Sequence, residues 1–370
     1  LELLVVIVLG LLAAGGFGAL VWAIVHYSNQ YAQQIDTAWH QAAQQLGGRF
    51  QPVRGPWYKK EQRTLDARIG NVSVLADHYT VSTGKSSVTY TRIRCRAAAP
   101  PELALQASRK HFLSGLGQAL GFQDVPTGHA AFDEAYTIKS NIPGLVPAWI
   151  SREVRHAMAP LPSYGFALSD GEILARRTGL ENDPVALVNV VRAVAALGDR
   201  GRVLLGTWRQ LADALDGSLK TRYDTWMLDG SMSIQAAWHS VPITIDVVQQ
   251  SSWLGGERTV FTRVRGRRVR GERFVLGSEY ASGAPTGLVS LADPSVRGLA
   301  VFSDEPKRTQ RRLSEATMRA LSVVQPAKLE AEGDQIALLV YGVLTVPDHA
   351  VLATEVVGRL CVDEDLGPYR

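Results

Sequence analysis

The sequence predicts an α+β protein: an N-terminal transmembrane helix followed by two tandem copies of one domain. Each copy is expected to be a mainly antiparallel sheet with helices on one face, the two related by a pseudo-two-fold. Three observations carry this. First, Trp39 and Trp57 recur as Trp208 and Trp226, both at a shift of 169 residues. Tryptophan is 8 of 370 residues, so one match at a fixed offset arises by chance roughly once in fifty. Second, the offset persists and drifts slowly. Ala43/Ala212, Leu46/Leu215 and Gly48/Gly217 share it, and Tyr90-Thr-Arg-Ile-Arg94 matches Phe261-Thr-Arg-Val-Arg265 at 171. Ser140/Ser303, Gly171/Gly333, Gly179/Gly342, Pro184/Pro347 and Val194/Val357 follow at 163 or 162. Third, Leu3 to Val25 carries no charge. At 1.5 Å per residue such a helix covers about 34 Å, enough for a hydrocarbon core of ~30 Å.

The boundaries follow: a membrane helix over 1–27, a helical extension and first repeat over 28–198, a linker over 199–205, a second repeat over 206–361 and a tail over 362–370. Trp39, Ala42, Ala43 and Leu46 fall on one helical face, and Trp208, Leu211, Ala212 and Leu215 repeat it. These tryptophans read as core. Gly47-Gly48 ends the first helix. Asn71–Asp77, Val88–Arg94, Pro242–Val247 and Thr259–Arg265 alternate as strands.

The copies then diverge. Glu102 to about Leu120 reads as a helix after Pro100-Pro101, whereas Arg273–Leu276 reads as a strand followed by a Gly/Ser/Pro-rich loop at Ala281–Thr286. They converge again on short strands at Ala135–Lys139 and Leu299–Phe302. Helices are expected near Ala148–Met158 and Arg311–Leu321. A hairpin turns at Asp170-Gly171, with Glu332-Gly333-Asp334 as its counterpart. Asp183 and Pro184 suit the start of a final helix, as does Pro347.

Formal charge is +4, from 39 basic and 35 acidic residues. That balance does not call for nucleic acid or anionic lipid. Cys95 and Cys361 occupy different places in the two copies, so they read as buried thiols rather than a repeated disulfide or metal pair. The eight histidines show no metal spacing and no pairing between copies. No metal site, cofactor or catalytic residue is assigned. G-x-S-x-G, the phosphate-loop pattern and a strand-linked G-x-G-x-x-G are missing.

One basic concentration stands out, Arg263-Val-Arg-Gly-Arg-Arg-Val-Arg-Gly-Glu-Arg273. Alternation puts Arg263 and Arg265 on one face and Val264 on the other, which reads first as a solvated strand face. If a surface element contacts anionic lipid or an acidic partner, the candidates are Arg263, Arg265, Arg267, Arg268 and Arg270. Nucleic acid is not expected, because no aromatic residues interleave with this run.

Two resemblances add to this. Thr127-Gly-His-Ala-Ala-Phe-Asp-Glu-Ala-Tyr-Thr-Ile-Lys-Ser140, with the Ser-Asp-Gly-Glu-Ile-Leu hairpin after it, resembles a bacterial family of membrane-associated proteins of unknown function over about residues 125–180. That family supplies no site. Glu2 before Leu-Leu-Val-Val-Ile is similar to the N-terminal segment of type IV pilins.

The function expected is a membrane-tethered, non-catalytic binding or scaffolding protein. The lipid bilayer is its partner through residues 3–25, and its ligand or protein partner is unnamed. The alternatives are an enzyme with a site in the divergent segments 97–130 or 266–298, and a pilin-like assembly component. Residues 1–48 carry no Lys or Arg. The first basic cluster, from Arg49 to Arg63, points to a cytoplasmic soluble part of a single-pass protein.

Overall fold

A computed structural model describes residues 2–53, 62–82, 84, 86–109, 123–251, 258–268, 272–277, 287–289 and 300–362, without the side chains of residues 2–19, 53, 123, 251, 258 and 287–289. The first copy runs α1 (Glu2–Leu46), β1 (Arg49–Val53), β2 (Gln62–Ile69), β3 (Val72–Ser82), β4 (Ser87–Arg96), β5 (Leu105–Arg109), β6 (Gln123–Asp124), α2 (Ala130–Ala135), β7 (Tyr136–Ser140), a 3-10 turn (Pro143–Leu145), α3 (Val146–Trp149), α4 (Arg152–Met158), β8 (Gly165–Ser169), β9 (Glu172–Thr178) and α5 (Pro184–Gly198). The second runs α6 (Arg200–Ala214), β10 (Ser218–Lys220), β11 (Ser233–Trp238), β12 (Val241–Ser251), β13 (Arg258–Arg267), β14 (Phe274–Gly277), β15 (Gly287–Val289), β16 (Ala300–Ser303), α7 (Pro306–Arg312), α8 (Glu315–Val324), β17 (Lys328–Glu332), β18 (Gln335–Tyr341) and α9 (Pro347–Cys361).

Strand order decides the relation between the copies. The first sheet is ordered β1-β2-β3-β4-β9-β8-β5-β7-β6 and the second β10-β11-β12-β13-β18-β17-β14-β16-β15. Strand for strand these are one topology. The meander pairs are antiparallel in both. The protein is therefore α+β with a repeated two-sheet architecture, as a tandem duplication requires.

By contact density the chain divides into two compact units: residues 1–96, 157–165 and 174–195, and residues 97–156, 166–173 and 196–370. In the first unit α1 packs on β1 and β2. Its buried stripe is Ile35, Ala38, Trp39, Ala42, Ala43 and Leu46. Strands β2, β3 and β4 turn Leu65, Ala67, Val72, Val74, Ala76 and Ile93 inward. In the second unit α6 does the same over β10 and β11, burying Leu204, Leu205, Trp208, Leu211 and Ala212. Trp226 is buried as expected, and Trp57 lies outside the described residues.

Both helices stop in the same way. Gly48 N–H donates to the Ala43 carbonyl at 2.8 Å and Gly47 N–H to that of Gln44 at 3.2 Å. Gly217 N–H donates to Ala212 at 2.8 Å and Asp216 N–H to Asp213 at 3.1 Å. This pair of bonds closes a helix through a left-handed residue, Gly47 at φ 62° and Asp216 at φ 48°. The next position must be glycine. A Cβ on Gly48 would lie 2.5 Å from the Asp66 carbonyl oxygen, and one on Gly217 would lie 2.6 Å from that of Gln235.

Several expectations need correction. Residues 105–109, expected inside a helix from Glu102 to Leu120, form β5; residues 110–122 lie outside the described residues. Pairing of β5 with β7 and with β8 overrides local helix preference. The helix near Ala148–Met158 is two, broken at Ile150-Ser151, and that near Arg311–Leu321 is likewise split before Glu315. Of the expected linker, residues 200–205 are already helical in α6. The Ala281–Thr286 loop falls outside the described residues. Other expectations hold. Asp170 and Gly171 both take positive φ, 51° and 68°, as a type I′ turn needs. Asp183 caps α5 through a 2.8 Å bond from Val185 N–H to its carboxylate.

Glu2 to Leu46 is one helix of 45 residues. Among the described residues no helix is long and apolar enough to cross a membrane. Most side chains of the expected span Leu3–Val25 lie outside that description.

Candidate functional site

The polar groups sort by whether the duplication repeats them. Two of the arrangements found in both copies lie on the central strands of the sheets. Thr91 and Thr262 are buried threonines on β4 and β13. Thr91 Oγ1 donates to the Gly179 carbonyl at 2.8 Å and accepts from Glu181 N–H at 2.9 Å. Thr262 Oγ1 donates to Gly342 at 2.9 Å and accepts from Leu344 N–H at 2.9 Å. Each hydroxyl satisfies a donor and an acceptor where the chain leaves the last strand of its copy.

The second shared arrangement is an Asp–Arg–Arg triad. Asp77 lies directly across from Arg92 in the β3–β4 register, as Asp246 does from Arg263. Arg92 binds Asp77 through Nε and Nη2 at 2.8 and 2.7 Å, and Arg263 binds Asp246 at 3.0 and 2.8 Å. Arg94 and Arg265 each approach the same carboxylate, at 3.6 and 2.8 Å.

This places the arginines singled out from the sequence. Arg263 and Arg265 share an outward face with Val264 beneath, as alternation predicts, and both pair with Asp246. Arg268 is buried; its Nε donates to the Gly333 carbonyl and its Nη2 to that of Glu272. Arg267 is 78% exposed, 4.0 Å from Asp334. Arg270 lies outside the described residues.

Other arrangements belong to one copy. In the first unit the Glu181 carboxylate is buried. It accepts from the Tyr164 hydroxyl at 2.8 Å, from Arg177 Nη1, and from Asp183 N–H at 3.2 Å. Its backbone carbonyl accepts from the Trp39 indole at 2.9 Å. Burial and then the Glu181 charge push the Tyr164 hydroxyl well above its usual pKa. At the matching positions the second copy has Leu344, Val340 and Ala327 in place of Glu181, Arg177 and Tyr164.

The second unit has the converse. Buried Glu272 lies 3.3 Å from Arg312 Nε and 3.5 Å from Arg308 Nε. Arg312 also donates to the Leu360 carbonyl at 3.2 Å. Leu105 and Phe274 pair with the equivalent serines, Ser140 and Ser303. Counting back from them, the first copy has Leu103 where the second has Glu272. Leu145 and Trp149 stand at the positions of Arg308 and Arg312, and all three are buried. Each copy has thus exchanged apolar contacts for ions at a different place.

The cysteines show the same exchange in volume. Cys95 packs against Val194, 3.5 Å from its carbonyl. Its counterpart is Gly266, where an added Cβ would lie 2.6 Å from Cys361 Sγ and 2.9 Å from Val357. Burial pushes the Cys361 thiol up to about 12.

Two hollows are lined by described residues. One is an open groove of about 650 Å³ along α1, lined by Gln30, Gln33, Gln34, Thr37, Ala38, Gln41, Asn182 and Pro184. The other, about 250 Å³, lies under the 124–138 segment and includes Asp124, Asp133 and Tyr136. Burial alone would raise the Asp133 carboxyl, but hydrogen bonds from the Thr127 hydroxyl and the backbone at 127–129 hold it below its usual value. The Thr127 hydroxyl is 2.7 Å away. Phe132 stacks on Tyr136 with centroids 5.0 Å apart. Phe132 and Asp133, within the Thr127–Ser140 stretch, therefore pin this loop. Among the described residues no cluster of three metal-ligating side chains occurs.

No protein-family model matches the chain, and no curated protein matches it significantly. Among solved structures it is similar to the crystal structure of the mycobacterial trehalose monomycolate transport factor A, TtfA. That similarity has 9% sequence identity and a TM-score of 0.29, and covers 43% of this chain and 92% of that one. A likeness this slight carries no argument about function.

Sequence reasoning missed Glu181 and Glu272. The signal was present: aligned on the repeat, each stands opposite a leucine.

Proposed function

We propose that the chain is a membrane-tethered binding or scaffolding protein, anchored through Leu3–Val25. The groove along α1 carries this reading. Its lining offers four glutamine amides, one asparagine amide and one hydroxyl, and no titratable side chain. Such a wall can hydrogen-bond a neutral or extended ligand but has nothing to transfer a proton. The uncharged run at the start of the 45-residue α1 supports the tether, because its length suits a bilayer.

The enzyme reading, a site in residues 97–130 or 266–298, meets the described residues at the hollow that holds Asp124 and, just past the first segment, Asp133. Those carboxylates are occupied, Asp133 by Thr127 and Asp124 by Lys139 at 3.6 Å. A contact of β13 with anionic lipid or an acidic partner would rest on Arg267 among the described arginines, because Arg263 and Arg265 are paired and Arg268 is buried.

A photo-crosslinking residue at Gln34 or Gln41, in the full chain in its native membrane, should trap one defined species. The same residue at Gln45, exposed on α1 but not lining the groove, should not. Equal labelling from all three positions, or none from the groove, would contradict the reading.

A further inference from the structure

The outward face of the first copy's meander differs from its counterpart around two tyrosines. Strands β3 and β4 bury Val72, Val74, Ala76, Thr91, Ile93 and Cys95 and turn Asp77, Tyr79, Tyr90, Arg92 and Arg94 the other way. Tyr79 and Tyr90 stack with ring centroids 5.3 Å apart. The Arg92 guanidinium lies 4.9 Å over the Tyr79 ring and that of Arg176 lies 5.3 Å over Tyr90. The second copy repeats Asp77, Arg92 and Arg94 as Asp246, Arg263 and Arg265. It replaces the rest: Val248 for Tyr79, Phe261 for Tyr90 and Leu339 for Arg176. The shared triad holds both sheets. The stacked tyrosines and the third arginine were added or kept in one copy.

We propose that this face of the first unit, centred on Arg94 and Arg176, binds an acidic segment of a protein partner. Charge is the first reason. The carboxylate bound on this face is that of Asp77, and Arg92 already holds it through two bonds. Arg94 touches it only at 3.6 Å, and among the described residues Arg176 has no carboxylate within ion-pair distance. Two guanidiniums therefore keep their donors for a ligand.

Preorganisation is the second reason. A guanidinium laid on an aromatic ring, as that of Arg176 is on Tyr90, is restrained before binding, so less side-chain entropy is lost when it meets a carboxylate. Composition is the third. Tyrosine and arginine are enriched and lysine depleted in the centres of protein interfaces, and these outward positions contain no lysine. A lipid surface is usually met by protruding lysines and arginines, whereas these side chains are half-buried. The inference rests on the reading of the chain as a binding protein but uses a surface other than the α1 groove.

The test uses the full chain in neutral phosphatidylcholine nanodiscs and a fluorescein-labelled peptide of alternating Asp, Glu and Gly, followed by anisotropy. The parent should bind at low salt and weaken steeply as salt rises through about 0.5 M. Joint Arg94→Gln and Arg176→Gln should weaken binding by about tenfold or more. Joint Arg319→Gln and Arg359→Gln, which remove the same charge from exposed helix positions, should leave it within about twofold. Joint Arg94→Lys and Arg176→Lys keeps the charge without the stacked fork and should fall between, which also guards against a misfolded Gln variant.

Failure of the parent to bind the peptide overturns the proposal, as does binding indifferent to Arg94 and Arg176. Arginine-dependent binding to phosphatidylglycerol vesicles in place of the peptide also overturns it, in favour of a lipid ligand. Crosslinking from the α1 groove would survive any of these outcomes, so the two readings fail separately.

Discussion

Glu181→Ala should lower stability by about 3 kcal/mol, read as a shift of the urea midpoint. The carboxylate is buried and has three donors. Removing it strands the Tyr164 hydroxyl, itself buried, and leaves the Arg177 cation at only 26% exposure. An orphaned buried donor costs its full desolvation penalty. Glu181→Gln should cost about half as much, because an amide oxygen can still accept from Tyr164. Joint Glu181→Leu and Arg177→Val, which installs two of the second copy's residues, should recover the part of the loss that comes from the uncompensated cation; the remainder is the Tyr164 hydroxyl, still without its acceptor. A Glu181→Ala variant as stable as the parent would mean that Arg177 and Tyr164 find water in place of the carboxylate.

Glu272→Leu should cost a similar amount, about 3 kcal/mol. Glu272 is fully buried between Arg308 and Arg312, and Arg312 is only 5% exposed. Leucine is the residue the first copy carries at this position, as Leu103, so its size suits the site. The loss is then electrostatic: a buried guanidinium without its counter-ion. Joint Glu272→Leu and Arg312→Leu should regain part of it. The remainder reflects the Leu360 carbonyl, which loses its bond from Arg312. If the joint variant is worse than the single one, Arg312 acts mainly through that carbonyl rather than through Glu272.

The repeat was legible because it left tryptophans, glycines and prolines at fixed offsets. The structure explains why those types persisted. Trp39 and Trp208 fill the same place beneath a sheet, and Gly48 and Gly217 meet the next strand too closely for a side chain. The hairpin at Asp170-Gly171 and the cap at Asp183 were legible because turn and cap chemistry is local. Strand β5 was not, because Leu105–Arg109 owes its state to partners at Tyr136–Ser140 and Gly165–Ser169, far along the chain.

Aligning the repeat marks Glu181 and Glu272, but their partners in the ionic clusters were illegible for a related reason. Tyr164 lies 17 residues from Glu181, and Arg308 and Arg312 lie some forty residues from Glu272. No spacing rule connects them. The arginine run on β13 was legible as a strand face with Arg263 and Arg265 on one side. That both meet Asp246 on the adjacent strand β12 was not, because β12 and β13 pair only through the fold. The aromatic–arginine face of the first copy was hidden because Arg176 joins Tyr90 only through the fold.

The central claim is that the two copies share one structural frame and differ in what was built on it. Thr91→Val and Thr262→Val, made separately and followed by urea unfolding, test it most directly. Each removes one hydroxyl that bridges a carbonyl and an N–H at the same point of the fold, without changing side-chain shape. Matched losses of about 2 kcal/mol are expected for the two variants. A clear loss at one threonine and none at the other would contradict it.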